Sequence, residues 1–288
     1  MMDHHTLSNG TLSATVKADG AELCSLLDAA GEERLWQAEP IWPRHAPVLF
    51  PIVGRLKDDT LRHEGRTYRL TQHGFARDRR FAWLNRSATS CRLVLHEDIE
   101  TRAMYPFAFR LEIAFTLDDD VLETSFTVAN PGRGVLPASV GAHPAFVWPL
   151  VQGVEKAAHV LEFARPEPAP VRRLEGGLLK PGTEPTPVVG RTLTLDPALF
   201  EADAVIMPEP ASTSLRYTAP GAPVIEIAWQ GFQELGIWSR PGGDFVCIEP
   251  WHGMASPTDF DGEFRDKPGL MLIPPGERRT LGMRIRLC

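Results

Sequence analysis

The chain has 288 residues, 43% of them apolar, enough to bury about three quarters of the surface an unfolded chain of this size exposes. Asp and Glu (37) outnumber Lys and Arg (30), and the net charge of −7 provides no positive field for holding a polyanion, so nucleic acid is excluded as a partner. Gly (24) and Pro (26) make up about one residue in six, above the usual share of about 12%, and both disfavour long helices.

The N-terminus, Met1-Met2-Asp3-His4-His5, lacks the basic and apolar regions of a signal peptide. No apolar run approaches the ~20 residues of a membrane span, so a cytoplasmic protein without membrane attachment is expected. Short strands are then predicted at Thr11–Val16, Leu23–Asp28, Thr67–Leu70, Phe81–Asn85 and Cys91–His96. Period-two alternation is clearest in Arg110–Val128, where Leu111, Ile113, Phe115 and Leu117 share one face before Asp118-Asp119-Asp120. Leu122, Thr124, Phe126 and Val128 share a face after it, which predicts a β-hairpin. Further strands are predicted at Ala158–Glu162, Arg191–Leu195, Ser214–Tyr217, Val224–Trp229, Glu234–Trp238, Phe245–Glu249 and Arg279–Arg286.

No strand alternates with a long amphipathic helix, so a βαβ sheet is disfavoured. The expectation is an all-β protein, a large antiparallel β-sandwich forming one domain over residues 1–288. Arg165–Gly190, rich in Pro and Gly, reads as an extended surface excursion. Cys24, Cys91, Cys247 and Cys288 form no Cys-x-x-Cys pair and are expected to be buried or incidental thiols rather than a zinc knuckle or redox dithiol.

Four segments place a titratable side chain within apolar or turn-forming sequence: Phe50-Pro51-Ile52-Val53-Gly54-Arg55, Gln72-His73-Gly74-Phe75-Ala76-Arg77-Asp78, Gly141-Ala142-His143-Pro144-Ala145-Phe146 and Cys247-Ile248-Glu249-Pro250-Trp251. A buried ionisable group is costly unless paired, so each segment demands a partner or a cleft. Taken singly, each is equally an ordinary turn histidine or a structural ion pair. The dinucleotide fingerprint, the P-loop and the Gly-x-Ser-x-Gly elbow are absent. His73, His143, His252 and Glu249 offer no short-spaced histidine pair of the kind that binds metal, and no metal is expected.

At these segments the sequence resembles the aldose 1-epimerase (mutarotase) family, most closely its shorter bacterial branch, which includes hexose-6-phosphate 1-epimerase-like proteins. Thr101-Arg102, Tyr105-Pro106-Phe107-Ala108-Phe109 and Leu199-Phe200-Glu201-Ala202-Asp203-Ala204 extend the match. The resemblance implies a β-supersandwich with an open sugar cleft and no cofactor. It implies Glu249 as general base, His143 as general acid and His73 as a second histidine that polarises the sugar. Arg55 and Asp203 would contact sugar oxygens. Its substrate would be a small sugar or sugar phosphate, whose phosphate Arg77, Arg79, Arg80 and Lys57 could meet, Arg77 first among them. His252 lies outside the family motif.

Anomer exchange needs a base at the O1 hydroxyl together with an acid at the ring oxygen. A carboxylate and a histidine supply the two near neutral pH. A sugar-binding protein without catalysis would use the same cleft but would not need both groups. A polysaccharide lyase or glycoside hydrolase on a similar sandwich would need a second carboxylate or tyrosine that the sequence does not offer.

Overall fold

In the computed structural model, which describes residues 3–288, the alternation of Arg110–Val128 becomes the strands Arg110–Asp118 and Val121–Ala129, closed by Asp119 and Asp120. Asp119 lies in the left-handed region at φ 48°, a conformation that two-residue hairpin loops use and that Asp tolerates better than most side chains. Leu111, Ile113, Phe115, Leu122 and Phe126 are buried. On the other face Glu123 meets Arg284 across the ladder, 2.9 Å apart and in water.

This hairpin lies within a nine-stranded sheet ordered Thr192–Thr194, Val160–Phe163, Ser214–Thr218, Ile225–Gln230, Arg278–Leu287, Val121–Ala129, Arg110–Asp118, Ser90–His96, Ala82–Arg86. A second sheet runs Val205–Met207, Glu234–Trp238, Phe245–His252, Val140–Ala142, Val48–Leu49, and Ala145–Val147 also pairs with Phe245–His252. The strand pairings in both sheets are antiparallel. Ile113, Phe126 and Ile227 of the first sheet and Leu235, Val246 and Ile248 of the second belong to one buried cluster. The architecture is therefore the expected all-β sandwich. A three-stranded sheet, His4–Ser8, Ser13–Lys17 and Glu22–Leu27, adds Leu7, Val16 and Leu26 to the same cluster.

Several details differ from the sequence expectation, among them the strands His4–Ser8, Thr60–His63, Leu136–Ala138 and Met271–Ile273, which it did not include. The short strands Val48–Leu49, Val140–Ala142, Ala145–Val147 and Val205–Met207 were not predicted, because they are almost wholly buried and carry no polar alternation. Phe245–His252 runs three residues past Glu249, through Pro250. Arg165–Gly190 is not a free surface excursion: Leu174–Glu175 and Leu178–Leu179 form a short hairpin, and Arg172 and Leu179 bridge to Ile206 and Pro257. Among the described residues the one α-helix, Ile99–Met104, has a capping box in which Asp98 and Thr101 exchange hydrogen bonds of 2.7 and 2.8 Å. No helix of the described residues is long and apolar enough to cross a membrane.

Candidate active site

Strand Phe245–His252 is buried on both faces. Val246 and Ile248 enter the core between the sheets, while Phe245, Cys247, Glu249 and Trp251 point the opposite way. Its partner on one side is split. Ala145–Val147 pairs with Phe245–Cys247, Val140 and Gly141 pair with His252 and Trp251, and the residues between them leave the ladder. His143 and Pro144 occupy that gap, where Ile248 N–H donates to the Pro144 carbonyl at 3.3 Å. Pro250, which has no N–H to offer, falls in the same gap, and this explains how the strand continues through it. The break turns the His143 side chain toward Glu249.

His143 Nε2 and Glu249 Oε2 are 3.1 Å apart, at 8% and 1% side-chain exposure. Trp251 Nε1 donates to the same Oε2 at 3.2 Å. Burial pushes the Glu249 carboxyl well above its usual range, opposed by the Trp251 hydrogen bond. It drives the His143 imidazole down to about 3, and Arg77 and Arg44 act in the same direction. The sequence pointed to an ionised Glu249 and a His143 charged by its neighbour. Desolvation outweighs that attraction, and both groups are driven toward their neutral forms. His143 Nδ1 has no hydrogen-bond partner. The ring is held instead by stacking on Trp42, 5.2 Å between centroids, and by edge contacts with Trp238 and His73.

His73 stands at φ 65° beside Gly74, where a Cβ would meet the Phe50 carbonyl oxygen at 2.3 Å. This close approach joins the two motif segments: His73 N–H donates to the Gly54 carbonyl at 2.8 Å and Gly54 N–H donates to His73 Nδ1 at 3.1 Å. Burial, aided by His143 and Arg77, holds the His73 pKa well below its ordinary value. With Nδ1 accepting, the neutral ring carries its proton on Nε2, which the Gln72 side-chain amide faces at 3.3 Å and can accept only through its oxygen. His73, His143, Glu249, Arg77 and Asp203 all line one cleft of about 480 Å³, a size suited to a small ligand. Asp203 Oδ1 accepts the Ala204 N–H at 2.7 Å.

Arg55 is the exception among the sequence candidates. Its guanidinium pairs with Asp59 at 2.7 Å and reaches the Gly176 carbonyl at 3.4 Å, and it is not part of the cleft lining. It supports the wall rather than facing the cavity. Arg79 and Arg80 are taken up by Glu100 and Asp3. Lys57 lines a separate small hollow, which leaves Arg77 the sequence-predicted cation in the cleft.

A family model for aldose 1-epimerase matches residues 3–272. The chain belongs to the aldose 1-epimerase family. It is 31% identical over 283 residues to the chromosomal LacX protein of Lactococcus lactis, covering 93% of this chain and 94% of that one. A galactose mutarotase related enzyme from Lactobacillus acidophilus superposes with a TM-score of 0.91 at 33% identity, over 99% and 97% of the two chains. A galactose mutarotase-like protein from Lactobacillus casei gives 0.92 at 28%, over 99% and 100%. The general activity that accompanies the family is epimerisation of a sugar.

Several features of this cleft escaped the sequence reading. Trp42, Trp238, Glu201 and Arg240 line it, as does Leu174 of the unpredicted hairpin. Trp36 Nε1 donates to the Trp42 carbonyl at 2.8 Å and fixes that loop. The crowding of Trp36 and Trp42 within a proline-bearing segment was the available signal. His252 Nδ1 lies 3.4 Å from the Gly231 carbonyl and the residue does not line the cleft.

Cys247 is buried as expected, but its sulfur, His143 and Glu249 offer donor atoms within 4.8 Å of one another. This is the set a metal would have to use. Burial pushes the Cys247 thiol and the Glu249 carboxyl far above their ordinary pKa values, so two of the three groups would have to give up a proton to hold a cation.

Proposed function

We propose that the cleft interconverts the α and β anomers of a hexose or hexose 6-phosphate, with Glu249 as general base and His143 as general acid. The observation that carries this reading is the 3.1 Å contact between Glu249 Oε2 and His143 Nε2. The pair holding one proton has two forms, neutral carboxyl with neutral imidazole, and carboxylate with imidazolium. A bound sugar, by bringing hydroxyl dipoles into the cleft, favours the charged form. No proton need be exchanged with solvent.

The carboxylate then takes the proton of the O1 hydroxyl while the imidazolium gives one to O5, and the C1–O5 bond breaks to leave the open aldehyde. Rotation about C1–C2 presents the other carbonyl face. Ring closure returns both protons and the pair ends as it began. His73 Nε2–H serves as a donor to a sugar oxygen and Asp203 as an acceptor for sugar hydroxyls. Arg77, with the exposed Arg240 at the rim, is the group that would meet a 6-phosphate.

The test is anomer equilibration followed by polarimetry or NMR exchange, with glucose, galactose and glucose 6-phosphate side by side. Glu249→Gln and His143→Asn should each slow exchange about 100-fold or more, as expected for loss of a positioned proton transfer. A sugar that binds without faster equilibration would overturn the proposal in favour of a binding protein.

A further inference from the structure

We propose that Trp251 assigns the two oxygens of Glu249 to different tasks, its indole N–H holding Oε2 beside His143 and leaving Oε1 to take the sugar proton. The inference rests on the reading of Glu249 as the base. Oε2 is 3.2 Å from Trp251 Nε1 and 3.1 Å from His143 Nε2, whereas Oε1 makes no hydrogen bond among the described residues.

The orientation of the indole is set by the sheet itself. Trp251 lies opposite Gly141 on one neighbouring strand, and Glu249 lies opposite Gly236 on the other. A Cβ at Gly141 would come within 2.7 Å of the indole, and one at Gly236 within 2.3 Å. The ring is thus seated where neither neighbour has a side chain. A terminal carboxylate torsion is otherwise broad and two-fold, so an unheld Glu249 would exchange its oxygens freely. Indole N–H is a donor only. It favours the charged carboxylate without competing for the transferred proton.

The other ionisable groups near the carboxylate come from separate elements. His143 stands in the gap of the adjoining ladder and Cys247 on the same strand. Asp203 approaches from the loop before Val205–Met207. His73, Arg77 and Arg44 surround the imidazole. None of them is seated to distinguish Oε1 from Oε2 as the indole is.

The decisive variant replaces Trp251 with benzothienylalanine, in which sulfur stands where the indole N–H was and the ring's shape is kept. Trp251→Phe is the simpler companion. Loss of a hydrogen bond to a charged group predicts a fall in kcat of about tenfold or more, with little change in KM. The alkaline limb of the pH profile, where the carboxyl loses its proton, should move upward by about one unit, while the acid limb, set by the imidazole beside a neutral carboxyl, should stay where it is. The titration of the 13C-labelled Glu249 carboxyl, identified by its absence in Glu249→Gln, should move upward in the same variant without any sugar present. An isostere with wild-type kcat and an unmoved carboxyl titration overturns the proposal. If the wild type equilibrates no sugar, the epimerase reading fails instead, and the carboxyl titration still decides the role of Trp251.

Discussion

Glu249 and His143 are so little exposed that water cannot share their charge, and each is driven toward its neutral form. The consequence for pH dependence follows from counting protons. The active pair holds one. A second binds only when the imidazole is protonated beside a neutral carboxyl, which burial postpones to low pH, and the last is lost only when the raised carboxyl titrates. The profile of kcat/KM is therefore expected to be flat through neutrality, with an acid limb far below the ordinary histidine range and an alkaline limb far above the ordinary carboxylate range. Both belong to the pair rather than to one residue. A bell centred on an unperturbed histidine would show that the cleft is wetter than its geometry implies. The sequence marked these two residues as candidates because a charge within an apolar run demands a partner, and their proposed roles came from the family resemblance. Trp42 was not marked, since a tryptophan in a loop does not declare which ring it will stack on.

The elements divide by how many of their faces are buried. Arg110–Asp118 and Val121–Ala129 present one face to water, so their alternation could be read directly. Phe245–His252 and Val140–Ala142 are buried on both faces, and continuous apolar sequence carries no period. The end of Phe245–His252 and the whole of Val140–Ala142 were for that reason not read from the sequence.

The loop after Phe245–His252 is fastened by two buried ionisable groups. Glu234 accepts the Gly253 N–H at 2.8 Å, and Lys267 donates to the Met254 carbonyl at 2.6 Å. Burial raises the Glu234 pKa from 4.5 to about 7 and lowers that of Lys267 from 10.5 to about 8. Between 4.5 and about 7 the folded chain binds more protons at Glu234 than the unfolded one, so stability falls as pH rises. Between about 8 and 10.5 the unfolded chain binds more at Lys267, so stability rises with pH. In urea unfolding, the stability of the wild type minus that of a Glu234→Gln, Lys267→Met variant should pass through a minimum between about pH 7 and 8. A difference that does not vary with pH would refute the assignment.

At the scale of the whole molecule, the core outweighs the charged outer face. Surface ion pairs such as Arg284–Glu123 and Arg286–Asp120 are exposed and contribute about 0–1 kcal/mol each. Truncating a buried ring such as Phe109 or Phe146 costs about 3–5 kcal/mol. Because the main cluster draws on both sheets and on the N-terminal strands, the reading of residues 1–288 as one domain predicts a single cooperative transition, coincident by circular dichroism and tryptophan fluorescence. Two separated transitions would refute it.

The broken ladder opposite Glu249 has a consequence for how this molecule can change. The proposed base and acid stand on, or next to, neighbouring strands, so their spacing derives from the interstrand distance of about 4.8 Å. Trp42, Asp203 and Arg240 come from connections between elements. On the proposed reading, selectivity and chemistry therefore reside in parts that can vary separately, and the rim could be rebuilt for another sugar while the proton pair keeps its geometry.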